Sequence, residues 1–331
     1  MELDRSTLEC VPTLTSAEAA KAGIGRWQLA GPSYTRVRRG LYVPAGASSD
    51  APDQRMAIVA RMLPEGFVLG GWAAARLYEE ARRPPSDDLV IFDGRLPEMD
   101  VDARVTLPVL VCTSRPGRLR PQQGVRLFRS DLERHEVTVV GGVRVTAPVR
   151  TAFDLARLWS VAPAVVALDR LRALRVFSPD DLAALLAERP GWRGVDAARR
   201  ALALSQDGVE SPRESMMRLL WHRAGLPRPV CNGVILDSDG RFAGRVDLLD
   251  PSVGVIAEYD GSFHASAERR HADARREELL EHLGLVVVRA NDPDIATAGG
   301  RESWQVRLRR AYDRARTERR PARWRLAERS L

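Results

Sequence analysis

The sequence has a single lysine and only three cysteines, and both shortages restrict the sites that it can contain. Lys21 is the lysine, so nearly all of the 51 basic residues are arginines. Cys10, Cys112 and Cys231 lie far apart, and no two of them form a CxxC pair. An odd number of widely spaced cysteines argues against a zinc cluster and is typical of a protein in a reducing compartment.

Long apolar runs are also missing. No stretch approaches the roughly 18 residues of a membrane span, and the first residues, "MELDRSTLEC", lack the apolar core of a signal peptide. We therefore expect a cytoplasmic protein. Hydrophobic residues make up 44% and charged residues 29% of the 331 residues, which is ordinary for a globular chain of two or three domains.

The positive charge is concentrated near the end of the sequence. Residues 301–331 contain eleven arginines and four acids, an excess of seven that equals the formal net charge of +7 for the whole chain. A segment such as "RLRRAYDRARTERRPARWR" is a candidate for binding phosphates. A solvated helical tail is the alternative, and a GC-rich genome would also favour arginine over lysine.

The first 50 residues predict a small helical unit followed by a basic hairpin. In "LTSAEAAKAGI", Thr15 or Ser16 is placed to cap a short helix that Gly23 ends. A second short helix follows, and "YTRVRRGLYVPAG" then alternates and turns at Gly40. Short helices followed by a basic hairpin suggest a winged helix-turn-helix over residues 1–50.

Residues 51–205 predict a middle region of α/β and helical segments. Two segments, "DQRMAIVARML" and "PVRTAFDLARLWS", have helical spacing, and "GFVLGGWAAARLYEEA" reads as a strand that runs into a helix. Four segments between these helices have strand character: "DDLVIF", "LPVLVCTS", "GVRLFRS" and "HEVTVVGGVRVT". Helices follow over 161–204, one of them capped by Ser178 with Pro179 at its first position. The linker-like "SQDGVESP" places a domain boundary near residue 206.

Residues 206–331 predict an α/β domain. We expect a helix over Ser211–Ala224, a hairpin over roughly 230–260, a helix over about 266–283 and a buried strand in "LGLVVVR". A short apolar strand flanked by helices is typical of a mixed sheet packed on both faces.

Three carboxylates interrupt the apolar hairpin "GRVDLLDPSVGVIAEYDGSFH", residues 244–264. If "PSVG" is a four-residue turn, Asp250 faces Val255 and Asp247 faces Glu258, and Asp260 shares the face of Glu258. Like charges directly opposed across a strand pair destabilise it, so the acids need partners. An arginine such as Arg245 could form a salt bridge, or a divalent cation, Mg²⁺ or Mn²⁺, could bind. A one-residue shift of register would move Asp247 to the other face.

His264 follows the acids, and it could act as a ligand, in proton transfer or as a structural hydrogen-bonding group. The next helix carries one aspartate and four arginines: Arg269, Arg270, Asp273, Arg275 and Arg276. The apolar positions predicted to share one side are Ala272, Leu279, Leu280 and Leu283, which directs the arginines toward solvent or a polyanion. A surface ion pair between Asp273 and Arg276 is the alternative.

The pattern D-x10-E-x-D-G-x2-H, then D-x2-R, then L-x3-G-x-x-V-x-R resembles the PD-(D/E)XK nuclease superfamily, in the branch built like the very-short-patch-repair endonuclease. The resemblance covers about Glu210 to Asp294. It implies a restriction-endonuclease-like core in which Asp247 and Glu258 hold a divalent metal that activates water against a DNA phosphodiester. It further implies that Asp260 ligates the metal or orients water and that His264 assists proton transfer.

Two positions of that pattern are ambiguous. Asp260 stands where the superfamily has a lysine, although the repair-endonuclease branch also lacks it and uses a nearby histidine. Glu214 stands where many members carry a further metal-binding acid on the first helix. However, Ser211 and Glu214 also have the spacing of a capping box.

The N-terminal segments "LTSAEAAKAGI", "TRVRRGLYVPAG", "VLGGWAAARLYE" and "RVTAPVRTAFDLAR" resemble the abortive-infection type IV antitoxin (AbiEi) family, over roughly residues 1–160. The resemblance implies a winged-helix DNA-binding domain with Arg36, Arg38 and Arg39 as wing or phosphate contacts; a solvated hairpin is the alternative. Together the resemblances predict a DNA endonuclease in defence or repair. The rival prediction is a non-enzymatic, antitoxin-like DNA-binding regulator with an inactive nuclease fold. A toxin or other protein partner stays open.

Overall fold

The computed structural model describes residues 11–97, 105–114, 123–261, 267–318 and 322–327, without the side chains of 267–270, 272 and 273. The described part is mixed α/β, with twelve α-helices and three β-sheets. None of its helices has the length and apolar character needed to cross a membrane.

The chain divides into two compact units. The first contains the described residues of Met1–Leu96, together with Val105–Trp159 and Leu174–Ala198. The second consists mainly of Ser160–Ala173 and Arg199–Leu331. Residue 206, the predicted boundary, therefore lies inside the second unit, because a helix from before that point packs within it.

The N-terminal part of the first unit is a three-stranded antiparallel sheet with two short helices. Its elements are β1 (Leu14–Thr15), α1 (Ser16–Lys21), α2 (Arg26–Ala30), β2 (Tyr34–Arg38) and β3 (Leu41–Pro44), and the strand order is β1-β3-β2. Thr15 caps α1, and its side chain and that of Glu18 form a capping box. Gly40 turns the hairpin in the left-handed conformation, with φ +75°. The predicted cap and turn are both confirmed.

The rest of the first unit is built on a five-stranded mixed sheet of order β6-β5-β4-β8-β7. Its strands are β4 (Val68–Gly70), β5 (Val109–Thr113), β6 (Val125–Arg129), β7 (Val137–Val140) and β8 (Val143–Thr146). Its helices are α3 (Pro52–Ala60), α4 (Gly71–Arg82), α5 (Pro148–Leu158) and α7 (Pro179–Glu188), and the first unit ends within α8 (Val195–Leu204). Strands β4 and β8 are parallel, as are β5 and β6, and the other neighbouring pairs are antiparallel.

The predicted strand "DDLVIF" is wrong. Residues 87–92 contain no strand, because the carboxylate of the fully buried Glu79 accepts the backbone N–H groups of Ile91 and Phe92. A side chain thus takes the hydrogen bonds that a neighbouring strand would otherwise receive.

The second unit contains a five-stranded mixed sheet of order β12-β11-β10-β9-β13, in which β11 and β12 are parallel. Its strands are β9 (Val230–Asp237), β10 (Phe242–Asp250), β11 (Val255–Tyr259), β12 (Val286–Ala290) and β13 (Trp324–Leu326). Its helices are α6 (Val161–Ala173), α9 (Pro212–Arg223), α10 (Ala267–His282), α11 (Asp292–Ala296) and α12 (Ala298–Glu318).

The predicted hairpin over 230–260 is a three-stranded meander. The second turn was missed at "DSDG", where the Asp237 carboxylate accepts the N–H groups of Asp239 and Arg241 and Gly240 adopts φ +83°. The predicted pairing of Asp250 with Val255 is confirmed.

Side chains alternate along β10 and β11, and helices pack against both faces. Ile256 lies in one apolar cluster with Leu280 of α10. On the other face, Asp250 accepts a 2.7 Å hydrogen bond from the hydroxyl of Tyr312 in α12. The predicted burial of Leu280 is confirmed, but Leu279 is 42% exposed, because only one of two consecutive helical residues can face the sheet.

Candidate functional site

Three carboxylates from separate elements lie close enough for their charges to interact: Glu214 in the first turn of α9, Asp247 on β10 and Glu258 on β11. Leu248 pairs with Ala257, so alternation puts Asp247 and Glu258 on the same face, as predicted. Burial raises the pKa of all three carboxyl groups. The negative charge of Asp247 raises the pKa of the other two further.

Asp247 and Glu214 are each held by neutral donors. Asp247 Oδ2 accepts the N–H of Tyr259 at 2.7 Å. Glu214 Oε2 accepts the N–H of Glu210 at 3.0 Å and the Asn232 side-chain amide at 2.5 Å. Ser211 caps α9 by accepting the N–H of Glu214 at 3.1 Å, so the cap is confirmed. The Glu214 carboxylate reaches back to the residue before the cap.

Glu258 has a cationic partner. Nη2 of Arg276, in α10, lies 2.6 Å from Glu258 Oε1, and Nη1 lies 3.3 Å from Oε2. The same Nη2 donates to the carbonyl oxygen of Arg245. A Cβ at Gly244 would lie 2.9 Å from Arg276 Nε, so the glycine leaves room for the guanidinium. We expected Arg276 to point toward solvent or a polyanion; 31% of its side chain is exposed, and its guanidinium pairs with the half-buried Glu258.

Asp260 and Arg245 have other partners than predicted. Asp260 lies 3.3 Å from Arg289 Nη1, and Arg289 also pairs with Glu277 at 2.7 Å. Arg245 pairs with Glu210 and donates to Asn232 Oδ1 at 2.9 Å. The Asp260 side chain is 42% exposed.

The donor atoms of this cluster suit Mg²⁺ or Mn²⁺ in kind, since both ions prefer carboxylate oxygens. As placed, no three His, Cys, Asp or Glu side chains within the described ranges stand close enough to share one ion. The Arg276 guanidinium already supplies positive charge beside Glu258, so an ion would have to replace it there. His264, a predicted catalytic residue, lies outside the described residues.

The predicted nucleic-acid-binding arginines differ in their surroundings. Arg36, Arg39 and Arg275 are exposed. Arg38 is half-buried, and it donates to the carbonyl oxygens of Val37 at 3.1 Å and Gln123 at 2.9 Å. The side chains of 269 and 270, two further predicted contacts, are outside the described set, as is that of Asp273.

Asn232 was missed by the sequence analysis. Its amide nitrogen donates to Glu214 and to the Gly208 carbonyl oxygen, and its amide oxygen accepts from Arg245. Its backbone has φ +50°, a conformation that asparagine tolerates better than most residues. The Asn-Gly dipeptide at 232–233, unusual inside an otherwise apolar strand, was the available signal.

Comparison with known proteins finds two relatives without an assigned function. No family model matches the chain, and no solved structure matches it. The uncharacterized proteins Rv2248 and MT2308, from two strains of Mycobacterium tuberculosis, are each 33% identical to it over 207 residues. The match covers 61% of this chain and 73% of each relative.

Proposed function

The chain belongs to the family of the mycobacterial proteins Rv2248 and MT2308, and we propose that it is a metal-dependent endonuclease that hydrolyses DNA phosphodiesters, in defence or repair. The observation that carries the proposal is the convergence of Glu214, Asp247 and Glu258 from three elements. Folding alone gives no reason to gather one buried and two half-buried acids, since burial without full neutralisation costs free energy.

The mixed sheet of the second unit supports the proposal. It is flanked by helices on both faces and carries Asp247 and Glu258 on adjacent strands. A mixed sheet flanked by helices is also what the resemblance to PD-(D/E)XK nucleases implies. The short helices and basic hairpin of the N-terminal sheet likewise support a winged helix-turn-helix that binds DNA.

In this proposal Glu214, Asp247 and Glu258 would hold Mg²⁺ or Mn²⁺ once their side chains close on the ion and it replaces the Arg276 guanidinium beside Glu258. The ion would supply charge stabilisation and an activated water. The Tyr259 N–H orients Asp247, and Asn232 orients Glu214. Asp260 would orient the water, and His264 would transfer a proton. Arginines of the hairpin, of α10 and of the C-terminal segment contact the DNA backbone, so binding weakens steeply as salt rises.

A cleavage assay tests the proposal directly. Supercoiled plasmid, single-stranded DNA and mismatched duplex are incubated with the protein and either Mg²⁺ or Mn²⁺. Wild type is compared with Glu258→Gln and Asp247→Asn, which remove a charge with little change of shape. Asp239→Asn is the matched control, because Asp239 is an exposed acid in a turn of the same sheet.

We expect metal-dependent cleavage that falls roughly a hundredfold or more in the two site variants, the range typical of a lost catalytic group, and that is unchanged in the control. Absence of cleavage by wild type on every substrate, or equal cleavage by Glu258→Gln, would contradict the proposal.

A second candidate function is a non-enzymatic DNA-binding regulator, antitoxin-like, with an inactive nuclease fold. The ion pair between Arg276 and Glu258 favours it, because a resident cation neutralises the cluster without a metal. Under this function, duplex DNA binds without cleavage, Mn²⁺ leaves the unfolding temperature unchanged, and Arg36→Gln or Arg39→Gln weakens DNA binding. A partner protein such as a toxin would be sought by co-purification.

A further inference from the structure

The first unit contains an open cleft of about 880 Å³ that the nuclease proposal does not use. Its walls come from the hairpin strand β2, the start of α3, and the residues that lead into β5 and β6. Arginines reach it from each of three directions: Arg36 and Arg38 from the hairpin, Arg55 from α3, and Arg95 from the segment after α4.

The cleft is positively charged. Four arginines and two acids, Asp50 and Asp93, line it, which leaves a net charge of +2 by subtraction. The charge of Asp50 acts on Arg55. The Asp93 carboxylate already accepts a hydrogen bond from the backbone N–H of Arg95 at 3.1 Å.

Two of the guanidinium groups are fixed in place. Arg55 donates to the carbonyl oxygen of Leu107 and lies over the Trp72 ring at 5.3 Å from its centroid. Arg38 donates to Gln123, and its buried Nε has no hydrogen-bond partner. Such preorganised groups lose little entropy when they bind an anion.

We propose that this cleft binds a phosphorylated small molecule of nucleotide size. Guanidinium groups match phosphate oxygens with paired N–H donors, better than they match a single point charge. The volume lies within the range of small-molecule sites, roughly 300–1,000 Å³. Thr35 and Thr106, which are both exposed, provide hydroxyls.

The concave shape favours a small ligand over a DNA backbone phosphate. A duplex presents its phosphates on a convex surface, and the exposed Arg39, which does not line the cleft, is better placed for that contact. Arg38 and Arg55 are held inside the cleft by backbone carbonyls. The proposal is independent of the endonuclease activity of the second unit, because all the residues concerned belong to the first.

Isothermal titration of the full chain tests the proposal. The probes are nucleoside mono-, di- and triphosphates, inorganic pyrophosphate, unphosphorylated adenosine and a short duplex oligonucleotide. Wild type is compared with Arg38→Gln and Arg95→Gln. Arg126→Gln is the matched control. Arg126 is an exposed arginine of the neighbouring strand β6, and its replacement removes the same charge outside the cleft. Thr106→Trp fills the cleft without any change of charge.

We expect saturable binding of at least one phosphorylated probe and none of adenosine. Affinity should fall at least tenfold in Arg38→Gln, Arg95→Gln and Thr106→Trp and stay unchanged in Arg126→Gln. The proposal is overturned if no phosphorylated probe binds, or if Arg126→Gln weakens binding as much as the cleft variants do. It is also overturned if only the oligonucleotide binds, because the arginines would then form a DNA-binding surface. Because Arg95 and Thr106 are exposed, these two variants keep the test valid if Arg38→Gln fails to fold.

Discussion

Replacing Arg276 by glutamine removes the cation that neutralises the carboxylate cluster, and its effect on stability can be worked out from the contacts. Arg276 makes two hydrogen bonds to Glu258, whose side chain is 13% exposed, whereas the Arg276 side chain is 31% exposed. A charged hydrogen bond contributes about 1.5–3 kcal/mol when buried, and solvent screening reduces an exposed pair to about 0–1 kcal/mol. For this half-buried pair we expect Arg276→Gln to lower the free energy of unfolding by roughly 1–2 kcal/mol at pH 7.

The loss should depend on pH in a defined direction. Burial already raises the pKa of Glu258 above its ordinary value of 4.5, and loss of Arg276 raises it further. A carboxyl group with a raised pKa in the folded state binds more protons when folded, so stability falls as pH rises from about 4.5 through the raised pKa. The variant should therefore approach wild-type stability near pH 4.5 and differ most at neutral pH.

Urea unfolding at several pH values, without divalent metal and then with Mn²⁺, measures both effects. Arg275→Gln is the matched control, because Arg275 is the exposed neighbour on the same helix; we expect a change within about 0.5 kcal/mol. If the cluster accepts a divalent ion, Mn²⁺ should stabilise Arg276→Gln more than wild type. The reasoning is refuted if the two variants lose the same stability, or if the loss from Arg276→Gln is independent of pH.

Three further substitutions test local interactions, two in the first unit and one in the second. Gly194→Ala should lower the free energy of unfolding by about 3 kcal/mol or more, because Gly194 has φ +84° and a Cβ there would overlap the carbonyl oxygen of Arg157. Gly46→Ala, at φ +83° with open space around it, should cost only about 1 kcal/mol, and equal losses in thermal or urea unfolding would contradict this account. Asp169→Asn should cost roughly 3–5 kcal/mol, because it leaves the fully buried guanidinium of Arg218 without its carboxylate 2.5 Å away; a loss below 1 kcal/mol in the same assay would show that the pair is not stabilising.

Local signals predicted much of the secondary structure. The caps at Thr15, Ser178 and Ser211 follow from side chains that accept backbone N–H groups a few residues ahead. The opposition of Asp250 and Val255 follows from the length of the turn alone. These features depend on residues close together in sequence, so a single sequence contains the information.

Features set by distant residues were missed. No strand forms over "DDLVIF" because the carboxylate of Glu79 accepts its backbone N–H groups. The direction of the Arg276 side chain depends on Glu258, eighteen positions earlier. Spacing indicated that the acids needed a positive partner. Arg245 lowers the pKa of Asp247 but forms its ion pair with Glu210, and Arg276 is the direct partner of Glu258. Which arginine reaches a carboxylate depends on how a helix packs, and local spacing contains no information on that.

The second unit is discontinuous in sequence, and this has a consequence for how it can be inherited or cut out. Asp169, in α6, accepts hydrogen bonds from Arg218, Ser215 and the backbone of Gln206. A fragment that starts at 206 would carry Arg218 without that carboxylate. Gene fusions or proteolytic fragments that preserve this unit must therefore retain Val161–Ala173 as well, and recombination at the linker-like "SQDGVESP" would separate groups that fold together.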